Sequence, residues 1–439
     1  MPPRPLQIVT DMAKLNLTYL RSADFRARVL KAHGKTTDNI ALDKVGLNET
    51  ELAPAEARVF AGLNDSTLGL STFTPSTATP THVNLVLPEF RTHTVFAGVT
   101  TAIWAAIGLG KRLGLPVRVI AMARNQDTPD IEKGREFLRE NFDLDAEIIL
   151  RAGIPKTRFN PQDRWIATHW TTAHALDVAA HAGLVDPASV VYLIQDYEPG
   201  FAPWSTSYTT ARSTYHAGFV PLVNSRPLLQ HLETVESVGI DERHVFAPAF
   251  DLAQLEEVAR RRSRSERTTV LFYGRPSKPR NLFHLGVTAM RQAVRLLGDD
   301  AASVDFVSAG EKHRAIDLGS GRSLSPLGRM AWDDYFAFLP TANVVLSLQM
   351  SPHPSHPPLE SAISGAHVVT NDFFGTRVGV HERIAAVPES PDTLGEALAQ
   401  AVRLERSSGP GGYAPIAAAD IGGELDSALD AIAPLITRD

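Results

Sequence analysis

Five short runs dense in branched apolar residues, VNLVLP, VRVIAM, AEIIL, VVYLIQ and GFVPLV, alternate with helix-length stretches such as IEKGREFLREN and ATHWTTAHALDVAAHA between residues 82 and 225. A run that is apolar without alternation needs cover on both faces, and the helices between the runs supply it. After the arginine-rich segment ARRRSRSERTT the rhythm restarts with TVLFYG, SVDFVSAG, NVVLSLQ and HVVTND. The pattern predicts an α/β chain built from two Rossmann-like, doubly wound domains that face a cleft. A helical N-terminal extension and spacer is expected over 1–78, with TFTPSTATPT as the spacer. The N-terminal Rossmann-like domain is expected over 79–258, the second over 259–420, and a closing amphipathic helix, ELDSALDAIAPLI, within 421–439. The arginine-rich run reads as a solvated hinge between the domains.

The 439 residues, 44% hydrophobic and 21% charged, give room for two cores. A formal net charge of −6 sets up no general field that would gather nucleic acid or anionic lipid, so no nucleic-acid partner is expected. With no cysteine, disulfides and thiolate metal sites are excluded, which suits a reducing compartment, and a cytoplasmic protein is expected. Asp11, Lys14 and Arg21 interrupt the first residues, so an export signal is not expected. The stretch THTVFAGVTTAIWAAIGLG is uncharged between Arg91 and Lys111 but carries three glycines, four threonines and a histidine, and it reads as a soluble helix between two strands.

Several chemistries fall away. The nearest approach to a dinucleotide fingerprint, Gly108, Gly110 and Gly114 in GLGKRLG, follows an apolar helix and precedes a strand, so these glycines end a helix rather than open one. No P-loop motif occurs. Asp143 and Asp145 in FDLDAE have the spacing some sugar transferases use for a divalent ion, yet they read as a solvated turn. His353 and His356 lack a helix to fix their geometry and a third ligand. No metal and no cofactor is expected.

The second half instead offers cations in a strand-to-helix turn, where LFYGRPSKPRNLFHLG places Arg275, Lys278 and Arg280 after TVLFY, with Gly274 allowing close backbone approach. Guanidinium charge and helix-start amides together can hold a diphosphate without metal. The alternative is a solvated loop. Further on, SPHPSHPPLESAISG follows the strand VVLSLQMS, its prolines separate that strand from the next helix, and Pro358 preorganises the first helical turn. Glu360 is expected in that turn, favoured by the helix dipole and able to accept two hydroxyl hydrogen bonds from a ribose. Its alternative is a glutamate that serves only the helix.

GRPSKPRN followed by PPLESAISGAHVVTND resembles the donor half of the retaining, metal-independent glycosyltransferases of family 4, which have the GT-B fold. YLIQDYEPGFAPWSTSYTTARSTY, with DRWIATHWTTAHA before it, resembles the WsaF-like rhamnosyltransferases of bacterial surface-glycan synthesis. The resemblance spans roughly residues 80 to 400. It implies Arg275 and Arg280 at the nucleotide diphosphate and Glu360 at the ribose, with Gly274, Lys278 and Asn281 in the first motif and Pro358 and Leu359 in the second also at the donor. It further implies Gly310, Glu311, Leu327 and Gly328 around the nucleobase, Ser351, Pro352, His353 and Pro354 near the donor sugar, and Gly98 at a glycine turn admitting the donor from the other domain. Two positions depart from the family. Pro352 stands eight residues before Glu360, where the family has a second glutamate, and His353 is the candidate substitute. Ala97 replaces one of a pair of glycines.

In the chemistry this implies, the two arginines stabilise charge on the departing diphosphate, and the acceptor hydroxyl passes its proton to a phosphate oxygen on the same face, with no protein nucleophile. On the facing domain Gln195 and Asp196 close the strand VVYLI and are expected to project into the cleft as acceptor-site candidates, and Asp196, like Arg275 and Arg280, is also a catalytic candidate. Glu198, Trp204 and Tyr208 are acceptor-site candidates, since carboxylates and aromatic faces suit the polar and apolar sides of a sugar. Lid packing is the alternative for Trp204 and Tyr208, and a cap for Asp196, while Trp170 is expected in the core. The expected activity is rhamnosyl transfer from dTDP-L-rhamnose to a growing bacterial polysaccharide, in the cytoplasm or at the inner face of the membrane. The alternatives are a transferase of another nucleotide sugar and an inactive glycan-binding scaffold. A lipid-linked acceptor, a homodimer and peripheral membrane contact remain open.

Overall fold

The computed structural model describes residues 69–92, 97–123, 126 and 128–437. Most of the expected N-terminal extension therefore lies outside the described residues. The spacer that follows is fastened to the first domain. Thr74–Pro75 pairs with Arg158–Phe159, and Phe73 packs on the rings of Phe159 and Trp165 at 4.7 and 5.8 Å between centroids.

The first domain carries β1 (Val83–Leu87), β2 (Val117–Ala121), β3 (Glu147–Leu150), β4 (Arg164–Ala167), β5 (Val190–Ile194), β6 (Val220–Asn224) and β7 (Val245–Phe246). They form one parallel sheet in the order β3-β2-β1-β4-β5-β6-β7. Between them run α1 (Ala97–Leu113), α2 (Thr128–Phe142), α3 (Trp170–His181), α4 (Thr206–Ser213) and α5 (Arg226–Glu236). Every residue of β1, β2 and β5 is buried, as apolar strands covered on both faces require. Gly108 and Gly110 lie in the last turns of α1, and Gly114, at φ +65°, ends it. Strand β4 was not distinguished in the sequence, where RWIA runs into the helical pattern of ATHWTTAHA. Four residues are too few for their periodicity to separate a strand from a helix start, yet β4 lies between β1 and β5 at the centre of the sheet.

The second domain carries α6 (Leu252–Arg261), β8 (Thr268–Gly274), α7 (Phe283–Leu297), β9 (Val304–Gly310), β10 (Ile316–Gly319), β11 (Arg322–Gly328), α8 (Trp332–Phe338), β12 (Val344–Leu346), α9 (His356–Ile363), β13 (His367–Asn371), β14 (Ile384–Val387), α10 (Pro391–Ser408), α11 (Ala418–Ile421) and α12 (Leu425–Ile432). The sheet order is β10-β11-β9-β8-β12-β13-β14, with only β10 antiparallel to its neighbour. Both sheets reverse their winding beside their first strand, between β1 and β4 and between β8 and β12, where parallel sheets leave a crevice beyond the strand ends. The architecture is GT-B: two Rossmann-like domains, strand ends facing.

The domain boundary lies before the arginine-rich run, not within it. Helix α6 packs Leu255 and Val258 into the second domain's core with Leu359 and Ala362. Arg262 is no part of a solvated hinge. It is 8% exposed and donates to the carbonyls of Ser364 at 2.5 Å and Ala342 at 2.6 Å, and burial lowers its pKa to about 10. The chain crosses back at Gly422–Gly423, where Ala247 N–H donates to Gly423 C=O at 2.7 Å. Helix α12 then closes the first domain, placing Ala428, Leu429 and Ile432 in its core while Arg112 of α1 pairs with Asp426 and Asp430 at 3.1 and 2.7 Å.

Candidate functional site

After β8 the chain makes a tight turn, with Lys278 N–H donating to Arg275 C=O at 3.0 Å, passes through a short 3-10 helix over Pro279–Asn281 and enters α7 through Leu282 at φ +49°. Arg275 and Arg280 emerge from this turn, each with 31% of its side chain exposed. The adjoining strand braces it. Glu311, just past β9, accepts from Ser277 N–H at 2.9 Å and Ser277 Oγ at 2.7 Å and lies 3.7 Å from Arg275 Nε. Burial pushes the Glu311 carboxyl up, but the Ser277 hydrogen bonds and the nearby cations outweigh it, and its pKa is lowered. Gly310 sits at φ +130°, and a Cβ there would lie 2.7 Å from Gly274 C=O, so the Arg275 and Glu311 turns can lie side by side only with glycine at this position. Gly274 itself was expected to leave room for a ligand. Its missing Cβ is instead filled by the Phe283 ring, 2.9 Å away.

After β12 the second half of the site is the turn 347–355. Met350 N–H donates to Arg280 C=O at 2.7 Å, joining the two turns. Arg377, 3% exposed, donates to the carbonyls of Asn371, Gln349 and Ser351 at 2.8, 2.9 and 2.6 Å and so holds the turn from behind. Burial lowers its pKa to about 10, and it remains a cation at neutral pH. Ser351, Pro352, His353 and Pro354 are all buried. Helix α9 begins at His356, earlier than expected, because Pro357 and Pro358 both fit a first turn whose N–H groups lack partners anyway. Glu360 therefore lies beyond the first turn and draws little from the helix end. It is 4% exposed, with one carboxylate oxygen 3.5 Å from His356 Nδ1. Leu359 is buried in the core, Leu327 is 42% exposed, Lys278 is exposed, Gly328 takes φ +77°, and Asn281 donates to Leu348 C=O at 3.4 Å.

From the facing domain, β5 delivers Gln195 and Asp196. Gln195 Nε2 donates to Gly98 C=O at 3.0 Å, tying the strand end to the start of α1. The Asp196 carboxylate accepts from Arg280 and from Ser351 Oγ, both across the interdomain boundary, and from Tyr197 N–H at 2.8 Å. The Arg280 guanidinium also stands 4.6 Å over the Phe201 ring. Asp196, Arg280 and Ser351 thus meet where the strand ends of the two sheets converge.

Glu198, expected to face an acceptor, points inward. It is 5% exposed and accepts from Trp170 N–H and, at 2.9 Å, from Tyr192 OH. Burial pushes its pKa to about 8, against the lowering effect of those bonds. Because the folded chain holds this proton while the unfolded chain releases it near pH 4.5, stability falls as pH rises through that interval and levels off above about 8. Glu198→Gln is expected to remove a pH-dependent loss on the order of a few kcal/mol between pH 5 and 8, read as denaturant midpoints at each pH. Trp170, expected in the core, is only partly buried because it opens α3, where its backbone faces Glu198. Trp204 is 90% exposed and stacks on Tyr208 at 5.2 Å and 21°, so it covers no lid.

Arg377 and Phe201 were missed in the sequence. The cue for Arg377 was its place just past HVVTND, at the same sheet edge as the other cations. No comparable cue exists for the Asp196–Arg280 contact. Among the described residues no cluster of three or more metal-ligating side chains occurs, and no helix is long and apolar enough to cross a membrane.

The chain is 33% identical over 210 residues, 48% of its own length, to the O-antigen biosynthesis protein RfbC of Myxococcus xanthus, and it spans only 16% of that relative. Among solved structures it is similar to Anabaena HepE in complex with UDP (14% identity, 80% of this chain and 94% of that one, TM-score 0.48). It is also similar to a Burkholderia vietnamiensis trehalose-phosphate synthase (11% identity, 81% and 98%, TM-score 0.49). The family models match further: the WsaF N-terminal domain over residues 82–226 and the WsaF C-terminal domain over 268–399. With both domains present in order and together covering more than half its length, the chain belongs to the WsaF family.

Proposed function

We propose that this protein is a retaining, metal-independent glycosyltransferase that moves L-rhamnose from dTDP-L-rhamnose to a growing bacterial surface polysaccharide, working in the cytoplasm. The observation that carries the reading is the meeting of Asp196 with Arg280 and Ser351, which joins an acidic strand end to a cationic turn across the crevice. Arg275 and Arg280 hold the diphosphate and Glu360 the ribose. As the bond from the sugar's anomeric carbon to phosphate oxygen breaks, charge collects beside the guanidinium groups. The acceptor oxygen bonds to the same carbon and its proton passes to the departing phosphate oxygen. The likeness to a protein named for O-antigen biosynthesis supports a polysaccharide as the product.

Incubation with dTDP-L-rhamnose, UDP-glucose, UDP-N-acetylglucosamine and GDP-mannose in parallel, with short rhamnose acceptors, tests this by product mass. A gain of one deoxyhexose from dTDP-L-rhamnose is the expected result. Product from another donor alone removes the rhamnosyl assignment, and no nucleoside diphosphate binding by calorimetry removes the enzyme reading.

The exposed face of Trp204, backed by Tyr208, suits the apolar face of an acceptor sugar. Trp204→Ala is expected to raise the acceptor KM about tenfold, a loss of roughly 1.4 kcal/mol, with the donor KM unchanged. An unaltered acceptor KM would take Trp204 out of the site.

A further inference from the structure

His353 has a hydrogen-bonding pattern that the turn alone does not complete. Its Nδ1 accepts from Ser355 N–H at 3.0 Å, which assigns the proton of the neutral ring to Nε2. That Nε2 is buried and has no hydrogen-bond partner among the described residues. The residue is 8% exposed, and burial holds its pKa down to about 4, so the ring is uncharged wherever the protein would work. Its backbone N–H donates at 3.1 Å to Ser351 Oγ, the same hydroxyl that meets Asp196. The charged and titratable groups acting on the ring are Asp196 from the first domain and His356, Arg377 and Arg280 from the second. A buried donor left open is costly in a fold, and this one lies beside the interdomain cluster of Asp196, Arg280 and Ser351, where a ligand can complete it.

We propose that His353 is a specificity-determining residue: its Nε2–H donates to a hydroxyl oxygen of the transferred sugar. The inference rests on the donor-site reading above and deepens it, because it fixes the polarity of the contact. A neutral N–H recognises an oxygen acting as acceptor, whereas a carboxylate would recognise a hydroxyl acting as donor. Pro352, with no polar side chain, cannot supply that second kind of contact, so the sugar is gripped here by a donor alone. A sugar lacking the contacted hydroxyl leaves the N–H unpaired and is disfavoured.

Two variants separate this role from the turn's own need for an acceptor. In His353→Asn, Oδ1 can still accept from Ser355 N–H while the far donor is lost. In His353→Gln, the amide nitrogen can reach the place of Nε2 while the near acceptor is lost. Each is assayed for dTDP and UDP binding by calorimetry and for kcat/KM with whichever of the four nucleotide sugars named above the wild type turns over. The expected result is nucleoside diphosphate binding within about twofold of wild type in both variants. Turnover is expected to fall ten- to a hundredfold in His353→Asn and less than about fivefold in His353→Gln. Full turnover by His353→Asn, or equal losses in both variants with the diphosphate still bound, overturns the proposal and leaves the donor site standing. Failure of wild type to bind either nucleoside diphosphate overturns the donor site and this contact with it.

Discussion

Arg280→Ala is expected to lower the rate of sugar transfer at saturating substrate about a hundredfold, on the order of 3 kcal/mol of transition-state stabilisation. The guanidinium stands in the cationic turn after β8 with 31% of its side chain exposed, so a diphosphate can reach it without rebuilding the core. In the structure its charge is engaged by Asp196 and lies over the Phe201 ring. Donor binding therefore requires the guanidinium to exchange the Asp196 carboxylate for a phosphate. The same residue has a small structural role, since a partly exposed ion pair contributes roughly 1 kcal/mol or less. The two effects separate by measurement: kcat should collapse while the melting temperature moves little. Arg280→Lys keeps the charge but loses the planar fork and should recover only part of the rate. Unchanged kcat in Arg280→Ala would remove the arginine from the reaction.

Arg377→Met is expected to destabilise the second domain by about 3 kcal/mol, because it takes the guanidinium donor from the buried Asn371 and Ser351 carbonyls and leaves that of Gln349 with Asn371 Nδ2 alone, at 3.1 Å. Those carbonyls belong to Asn371, Gln349 and Ser351, so the loss is concentrated in the turn that carries Ser351 and His353. A single ammonium cannot span three acceptors in the manner of a guanidinium, and Arg377→Lys should recover less than half of the stability. Urea midpoints at constant slope check this. A midpoint within error of wild type would show that the turn holds itself.

Much of the fold was legible because buried parallel strands write themselves as unbroken apolar runs, and nine such runs were long enough to read. What escaped was short or amphipathic. RWIA in β4 merged with the helix behind it, and the edge hairpin of β10 and β11 has the alternating, half-exposed pattern of a solvent-facing ladder. Helix α6 was assigned to the wrong domain because its apolar stripe, Leu255 and Val258, does not say which core it fills. Glu198 was misread for a related reason. A carboxylate after a strand end looks available, and only Tyr192 and Trp170 closing over it make it a buried, proton-holding group.

By itself the sequence determined the alternation of strand and helix, the cationic turn GRPSKPRN, the proline-stiffened turn before α9 and the acidic residue at the end of β5. These are local matters of period, charge and backbone restriction, carried by residues close together in the chain. Only the tertiary structure decided that Asp196 meets Arg280 and Ser351, that Arg377 stands behind the Ser351 turn, and that His353 keeps an open donor. Each joins segments far apart in sequence, and their partners follow from how two sheets are packed and oriented, which no local pattern of residues encodes.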